Sequence, residues 1–383
     1  MAAAAVSAPL RVLFVPVSGL SGMGEYARCL TLAGAVAARW PGAAIHFLLS
    51  AEAPYARSTP HPYTLLPGSP TLHNAAACAA IREFAPDVTV FDNSGRKSQL
   101  MAARACGGRT VFVSSRWRPR LKAFRLRWMR HLDEHWIPYP EFVGGSLTRL
   151  ERLKQRLLGR PRVRYLDVVL PPPPAAAAAV ALARAGVAPE GYVLVVPGGG
   201  SVHPGAIGTP AAFETAAQRI AAAGHVVLVA GRDRGVAAPN VEQATAAEQA
   251  PAAAQVRPSQ RDGSPRWLGR VPPVEIAALL RGATLVVTNG GDTLLQALAA
   301  GRATVAAPIA NDQPQRLARC VARGGVIGVA PQPGAIASAA LRLLDDASER
   351  ARLAAAARAL GLVDGVATAL EAIAALAGRA GAS

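Results

Sequence analysis

The stretch TNGGDTLLQALAAG at residues 288–301, continued by the hexapeptide PIANDQ at 308–313, decides the fold of this chain. Apolar strand-like runs border its helical part on both sides, so the stretch predicts a helix between two parallel strands. Gly290 and Gly291 lie where this helix begins, and Thr293 adds a hydroxyl. Backbone N–H groups at a helix N-terminus suit an anion such as a phosphate group.

The same alternation of strand-like and helix-like segments extends through both halves of the chain. In the first half, apolar runs predict strands at Arg11–Val17, Ala44–Ser50, Asp87–Asn93, Arg109–Ser115, His135–Tyr139 and Arg162–Leu170. A second series predicts strands at Tyr192–Gly198, His225–Gly231, Trp267–Val271, Ala283–Asn289, Arg302–Ile309 and Gly325–Val329. Such strands are typical of parallel sheets covered on both faces. We therefore expect an α/β protein with two Rossmann-like, doubly wound domains.

Changes in composition predict the domain boundaries. A run of four prolines ends the first series, because proline fits neither a central strand nor a helix interior. We predict an N-terminal domain at 1–170, a Pro/Ala-rich linker at 171–190 and a C-terminal domain at 191–383. Residues 236–266 lack periodicity, which predicts a flexible surface insertion. The last helical segment, Val363–Leu376, fits either domain.

The charge of the chain is large and localised. The 383 residues carry a formal charge of +17, and 51% of them are hydrophobic, which predicts a globular protein. The segment Arg96–Arg164 alone holds 18 Lys and Arg residues against four acids. Such a segment predicts a polyanionic neighbour: nucleic acid, anionic lipid or a phosphorylated substrate.

Other features predict where the protein resides. Its four cysteines are widely spaced without a C-x-x-C pair, which fits a reducing compartment. The N-terminus has no basic region before its short apolar stretch, and the longest apolar run is too short to span a bilayer. We expect a soluble, cytoplasmic protein that can lie peripherally on the inner face of a membrane.

The stretch quoted above resembles the donor-binding motif of GT-B glycosyltransferases, G-x-x-T-x-x-E-A-L-x-x-G-x-P followed by P-x-x-x-D-Q. Relatives include UDP-glycosyltransferases, the lipid II N-acetylglucosaminyltransferase and nucleotide-sugar hydrolases of the pseudaminic acid pathway. The positions that match at the family spacing are Gly290, Thr293, Ala297, Leu298, Gly301, Pro308, Asp312 and Gln313. The resemblance implies two Rossmann-like domains that face each other across a cleft. The C-terminal domain would bind a nucleoside-diphosphate sugar, expected to be UDP-linked, and the N-terminal domain the acceptor.

The resemblance also implies roles for individual residues. Thr293 and the neighbouring N–H groups would hold the diphosphate, while Asp312 and Gln313 would bind hydroxyls of the donor sugar. A second Gly-rich loop, PGGGS at 197–201, follows another strand and adds candidates, with His203 as a further phosphate contact. The predicted donor-binding residues are Gly199, Gly200, Ser201, Arg232, Gly290, Gly291, Asp292, Thr293, Gln296, Asp312 and Gln313.

Three positions depart from the family pattern. Gln296 stands where the family has a Glu that binds the ribose hydroxyls, so any hydrogen bond there lacks charge assistance. Ala303 replaces a proline in the turn. Arg316 stands where Asn is common, so we assign it no sugar contact.

The loop after the first predicted strand resembles the family more loosely. Gly22 and Gly24 match the G-x-G-H-x-x-R-x-x-x-L-A segment of the hydrolases and related transferases, and form the predicted acceptor or phosphate loop. Glu25 replaces the His that acts as base in many members. We predict Glu25 as the general base and Asp92, at a strand end, as the second candidate. Capping or structural roles remain open for both.

The implied reaction needs no resident cofactor, because the nucleoside-diphosphate sugar is a co-substrate. No His, Asp or Glu cluster has metal-ligand spacing and no D-x-D is present, so we expect no metal site. The resemblance favours an inverting, metal-independent displacement.

Residues 116–130 lie within the basic segment and predict an amphipathic helix. Leu121, Phe124, Trp128 and Leu132 follow helical spacing, with Arg and Lys on the other faces. Such a helix suits an anionic membrane surface or a lipid-linked acceptor. The alternative is a helix packed on the core with a solvated charged face. Nucleic acid is disfavoured because no nucleic-acid-binding motif accompanies the charge. A second pattern, Leu147–Leu158, also combines leucines with basic residues.

Three functions fit these observations. The first is a glycosyltransferase acting on a lipid-linked or cell-envelope acceptor. The second is a nucleotide-sugar hydrolase or 2-epimerase on the same fold. The third is a non-catalytic sugar-nucleotide-binding or scaffold protein, suggested by the replacements at Glu25 and Gln296.

Overall fold

The computed structural model describes residues 8–19, 23–198, 206–231 and 263–378. The chain forms two compact units: unit 1 is Met1–Pro171 with Leu362–Ser383, and unit 2 is Pro172–Gly361. The C-terminal segment therefore belongs to the first unit, unlike in the predicted domain at 191–383.

Unit 1 contains one parallel sheet with the strand order β3-β2-β1-β4-β5-β6-β7. Its strands are β1 (Arg11–Pro16), β2 (Ala44–Ser50), β3 (Tyr63–Leu66), β4 (Val88–Asp92), β5 (Arg109–Val113), β6 (Glu134–Ile137) and β7 (Arg162–Tyr165). Its helices are α1 (Gly24–Arg39), α2 (Asn74–Phe84), α3 (Lys97–Ala105), α4 (Trp117–Ala123), α5 (Leu126–Met129), α6 (Glu141–Gly144), α7 (Arg149–Leu158) and α15 (Gly365–Leu376), with a 3-10 turn at Ala56–Ser58. The chain reverses its direction of winding between β1 and β4.

Helices cover both faces of this sheet because alternate side chains of a strand point to opposite sides. Val12 and Phe14 of β1 join a core with α1 and α15, whereas Leu13 and Val15 join a core with α2 and α3. Close backbone contact fixes α15 in this unit, since a Cβ atom on Gly365 would lie 2.0 Å from the carbonyl oxygen of Leu166.

Unit 2 contains a second parallel sheet, with the order β10-β9-β8-β11-β12-β13. Its strands are β8 (Val193–Val196), β9 (Val227–Ala230), β10 (Arg266–Gly269), β11 (Leu285–Asn289), β12 (Thr304–Ala307) and β13 (Ile327–Gly328). Its helices are α8 (Ala175–Ala185), α9 (Pro210–Ala222), α10 (Pro273–Gly282), α11 (Asp292–Ala299), α12 (Gln313–Val321), α13 (Pro333–Asp345) and α14 (Ala347–Ala359). Here the winding reverses between β8 and β11. Both units thus have the predicted doubly wound α/β architecture.

Several local predictions need correction. The predicted linker at 171–190 contains helix α8, because the alanines that follow the prolines favour a helix. This helix packs against α10. Most of the predicted insertion at 236–266 lies outside the described residues, but its last residue, Arg266, begins β10. Strand β3 was not predicted, because only Leu66 of its four residues is buried.

The predicted helix at 116–130 is wrong in its continuity. The segment forms two short helices, α4 and α5, separated at Phe124 and Arg125. Across the described ranges, the structure contains no helix long and apolar enough to cross a membrane.

Candidate functional site

The first candidate region lies at the carboxyl ends of β1 and β4, where the winding of unit 1 reverses. Loops diverge at such a point, and parallel α/β sheets bind their ligands there. Helix α1 begins at Gly24 in this region, and the loop after β4 runs from Asn93 to Arg96. The predicted base Glu25 and the second candidate Asp92 both belong to this region.

Glu25 is held by a side-chain network from residues that follow two neighbouring strands, β4 and β5. Its Oε1 accepts a hydrogen bond of 2.9 Å from Nδ2 of Asn93. Asn93 adopts a left-handed backbone conformation with φ 51°, and its Oδ1 accepts a 3.1 Å hydrogen bond from the backbone N–H of Ser115. Asn93 Nδ2 also contacts Oγ of Ser115. These hydrogen bonds therefore orient the half-buried carboxylate of Glu25 at the carboxyl ends of the central strands.

Asp92 is placed differently. It is 0% exposed, and its two carboxylate oxygens accept hydrogen bonds of 2.7 Å and 3.0 Å from Nε and Nη2 of the buried Arg28. The thiol of Cys29 lies 3.9 Å from the same carboxylate. This ion pair fastens α1 to the end of β4, and it does not suit a base that must reach a substrate.

Two further polar side chains border this region. Lys122 Nζ donates a 2.6 Å hydrogen bond to the carbonyl of Gly95 and lies 4.2 Å from the centre of the Trp128 ring. Burial, and then the charges of nearby arginines, lower the pKa of Lys122 to about 8. The buried hydroxyl of Tyr55 has no hydrogen-bond partner within the described part of the chain. Burial, and then the charge of Glu25, raise the pKa of this phenol.

The second candidate region lies at the carboxyl ends of β8 and β11, where the winding of unit 2 reverses. Asn289, the last residue of β11, donates a 2.8 Å hydrogen bond from Nδ2 to the carbonyl of Pro197 after β8. Its Oδ1 accepts a 2.7 Å hydrogen bond from the N–H of Gly291. Asn289 thus joins the loop after β11, which carries Gly290 and Gly291, to Pro197, the first residue after β8.

Helix α11 begins directly after this link. Its N-cap is Gly291, which has no side chain that could cap the helix. The N–H of Gly291 is hydrogen-bonded to Asn289. The groups that could contact a phosphate are therefore the N–H groups of the first helical turn and the Thr293 hydroxyl. Asp292 and Gln296 lie four residues apart on one helical face, both half-buried.

The two halves of the motif, separated by about one helix and one strand, meet at Gly290. A Cβ atom on this glycine would lie 2.9 Å from Cβ of Gln313. The buried guanidinium of Arg316 donates a 2.7 Å hydrogen bond from Nη1 to the carbonyl of Gly290. Its Nη2 lies 3.0 Å from Oδ2 of Asp312. Arg316 therefore connects the loop after β11 with the start of α12.

Asp312 and Gln313 differ in what they can offer a ligand. Asp312 is exposed to solvent and held from one side by Arg316. Gln313 is buried, and its Oε1 accepts a 2.8 Å hydrogen bond from the N–H of Ile309. This hydrogen bond orients the amide of Gln313, whose Nε2 carries two N–H groups that could donate to a ligand.

Other predicted residues lie outside the described ranges. They are Gly22 of the first loop and Gly199, Gly200, Ser201, His203 and Arg232 of the second unit. Within the described ranges, no group of three or more His, Cys, Asp or Glu side chains is placed to hold a metal ion.

Comparison with known proteins extends these observations. No protein-family model matches the chain, and no curated protein matches its sequence. Solved structures do match over nearly its whole length. The spinosyn forosaminyltransferase aligns with a TM-score of 0.59 at 15% identity, over 96% of this chain and 100% of that one. A UGT transferase from Siraitia grosvenorii, solved in complex with UDP, aligns with a TM-score of 0.57 at 12% identity, over 96% of this chain and 99% of that one.

The chain has the GT-B glycosyltransferase fold. A putative UDP-N-acetylglucosamine 2-epimerase from Listeria monocytogenes also aligns, with a TM-score of 0.54 at 13% identity over 96% of each chain. Structural matches at such low sequence identity show the fold of the chain. Its reaction has to be inferred from the residues of the candidate site.

Three residues position the candidate regions through side-chain contacts that the sequence motifs do not predict: Asn93, Arg28 and Arg316. Asn93 is the last residue of the predicted strand, whereas β4 ends one residue earlier, and an asparagine, which tolerates positive φ, is a signal for such a strand end. Arg28 matches the Arg of the looser N-terminal motif, but its partner Asp92 lies 64 residues away. Arg316 replaces an Asn that is common in the family, which gives no signal for a role, but its long side chain reaches the Gly290 carbonyl.

The apolar side chains of the predicted amphipathic segment 116–130 pack mostly against the fold of unit 1. Phe124, Trp128 and Leu132 belong to the core beneath α2 and α3, and Trp128 meets the Phe112 ring edge-on at 5.4 Å. Leu121 instead is exposed. The apolar side of 116–130 is therefore mostly core, which agrees with the core-packed alternative.

Proposed function

We propose that this chain is a glycosyltransferase that moves a sugar from a nucleoside-diphosphate donor to an acceptor. The observation that carries the proposal is the meeting of the two motif halves in unit 2. Gly290 lies against Gln313, and Arg316 bridges the Gly290 carbonyl and Asp312 beside the start of α11. A fold alone hosts many functions, so this local arrangement weighs more than the resemblance in shape.

In the proposed reaction, the first turn of α11 and the Thr293 hydroxyl bind the diphosphate. Negative charge grows on this group as it leaves, and N–H groups at a helix start stabilise such charge. Gln296 would face the ribose and Asp312 the hydroxyls of the sugar. These roles need no metal ion.

Glu25 is the proposed general base. It removes the proton from an acceptor hydroxyl while that oxygen forms the new bond to the anomeric carbon. The bond from that carbon to the diphosphate breaks, and its electron pair leaves with the diphosphate. Attack from the opposite side inverts the anomeric configuration. The hydrogen bond from Asn93 supports this role, because it fixes the carboxylate at the sheet edge.

UDP is the proposed carrier, supported by the fold shared with a transferase solved with UDP. The excess of Lys and Arg between Arg96 and Arg164 supports an anionic acceptor, such as a lipid-linked precursor of the cell envelope.

A nucleotide-sugar hydrolase or 2-epimerase is the second candidate, favoured by the shared fold of the putative 2-epimerase. The test is incubation with a panel of nucleoside-diphosphate sugars, with and without lipid-linked acceptors. Sugar transferred only when acceptor is present supports the proposal. Free sugar or a C2 epimer formed without acceptor supports the second candidate. Tight donor binding without any product would indicate a binding protein.

A further inference from the structure

Helix α7 is fixed to unit 1 by its polar side chains. Glu151 is buried, and its Oε2 lies 2.9 Å from Nη2 of Arg120. Lys154 Nζ donates a 3.2 Å hydrogen bond to the carbonyl of Phe124, and Gln155 Nε2 donates a 2.9 Å hydrogen bond to the carbonyl of Pro161. These contacts set the rotation of the helix with a polar side inward.

The leucines of α7 consequently point away from the fold. Leu150, Leu153 and Leu157 are 59%, 53% and 75% exposed. Their spacing of three and four residues places them in one stripe along the helix. Leu158 packs against the core instead. An exposed apolar stripe on a well-anchored helix is unusual for a surface that faces only water.

The stripe is accompanied by uncompensated positive charge. Arg149, Arg152 and Arg156 are all exposed on the outward side of α7, and none forms an ion pair with a described residue. The one acid of the helix, Glu151, is turned inward to Arg120. The outward side of α7 therefore combines apolar and cationic character without a neighbouring acid of its own.

An exposed tryptophan lies near the same anchor. Trp117 of α4 is exposed, and the guanidinium of Arg120 lies 5.8 Å from the centre of its ring. Indole rings suit the boundary between water and hydrocarbon, because one end is apolar and the other donates a hydrogen bond.

We propose that the outward face of α7, defined by Leu150, Leu153, Leu157, Arg149, Arg152 and Arg156, docks on an anionic phospholipid surface. The leucines enter the boundary between headgroups and acyl chains, and the arginines bind lipid phosphates. Charge complementarity selects this occupant, because the face offers guanidinium groups and lacks acids. Leucines beside them favour lipid over nucleic acid, whose phosphates give an apolar stripe nothing to contact. This docking element replaces the apolar side of 116–130, most of which is core.

The test is binding of the full-length protein to phosphatidylcholine vesicles with and without phosphatidylglycerol, measured by co-sedimentation. The wild-type protein is expected to bind the anionic vesicles and to dissociate from them as the NaCl concentration is raised. The variant Arg149→Gln/Arg152→Gln/Arg156→Gln should bind roughly 10²-fold more weakly, at about fivefold for each arginine near the surface. A variant with the same loss of charge elsewhere, Arg57→Gln/Arg82→Gln/Arg281→Gln, should retain most of the binding. The variant Leu150→Gln/Leu153→Gln/Leu157→Gln should also weaken binding, by at least about tenfold, whereas Leu72→Gln should not.

Because these side chains are exposed, thermal unfolding should be unchanged in every variant, which separates lost binding from lost structure. Equal losses in the two arginine variants would overturn the proposal, because net charge alone would then explain the binding. Unchanged vesicle binding in the leucine variant, with a dimer becoming a monomer, would assign the face to a second copy of the chain. Tighter binding to duplex RNA than to anionic vesicles would also overturn it. No sugar donor is present in this assay, so its failure leaves the proposed transferase function untouched.

Discussion

Asn93 donates a 2.9 Å hydrogen bond to the carboxylate of Glu25, joining the loop after β4 to the first turn of α1. The two residues are 68 positions apart, and the reversal of winding between β1 and β4 brings them together. The backbone of Asn93 is bonded to Val113 and its side chain to Ser115, so the donor itself cannot swing away. The central catalytic prediction rests on this pair.

Replacing Asn93 by glycine tests the pair while the left-handed backbone conformation stays accessible. Asn93→Gly keeps access to φ 51° and removes the amide. The loss of a hydrogen bond to a charged group changes a rate or equilibrium constant by roughly 10–100-fold. We therefore expect kcat to fall by that factor while KM for the donor is unchanged. Glu190→Gly is the matched control, because Glu190 also has positive φ but lies in unit 2. Wild-type kcat in Asn93→Gly, combined with an inactive Glu25→Gln, would show that Asn93 does not position the base.

The two carboxylates should respond differently to neutralisation. Glu25→Gln keeps the shape and removes the base, so turnover should drop roughly 10²–10⁴-fold with unchanged donor affinity. Asp92→Asn leaves Arg28 buried without a full counter-charge, which should lower the free energy of unfolding by about 3–5 kcal/mol. Chemical denaturation and steady-state kinetics distinguish the two effects. A stable Asp92→Asn enzyme that has lost only turnover would instead identify Asp92 as the base.

Lys122 gives a prediction for pH dependence. Its pKa is lowered from 10.5 to about 8 in the folded protein, so between these values the unfolded chain holds a proton that the folded chain has released. Stability must therefore rise with pH through this window, and the cost of the charged lysine is fully present below pH 8. The free energy of unfolding of wild type relative to Lys122→Met should increase from pH 8 to pH 10. A constant or falling difference would show that Lys122 is not desolvated.

Arg316 should hold the loop after β11 in place through its hydrogen bond to the Gly290 carbonyl. Arg316→Met removes the bridge between the Gly290 carbonyl and Asp312, so we expect nucleotide affinity to fall by roughly tenfold, as for one lost charge-assisted hydrogen bond. Arg319→Met, on the same helix outside the motif, is the control. Calorimetry on both variants measures the difference. Equal nucleotide affinity in the two variants would restrict Arg316 to a role in stability.

The sequence predicts the strands of both sheets well because most of them are buried on both faces and therefore read as continuous apolar runs. It fails for β3, whose residues are mostly half-buried or exposed, and for 116–130, where helical spacing hides a break at Phe124. The position of α15 in unit 1 depends on the fit of Gly365 against Leu166, which no periodicity records. The candidate site shows the same division. The motif supplies Thr293 and Asp312, whereas Asn93 and Arg316 act through contacts set only by the folded chain.

The central claim, that unit 2 binds a nucleoside diphosphate through the start of α11, is tested most directly by calorimetric titration of UDP and other nucleoside diphosphates. Thr293→Val removes one hydroxyl with little change in volume, and Thr368→Val makes the same change on α15 of unit 1. The account predicts that wild type and Thr368→Val bind at least one of these ligands equally. Thr293→Val should bind it roughly 10–100-fold more weakly, as expected for a lost hydrogen bond to a charged group. The same affinity in all three proteins, or no binding of any nucleoside diphosphate to wild type, would contradict it.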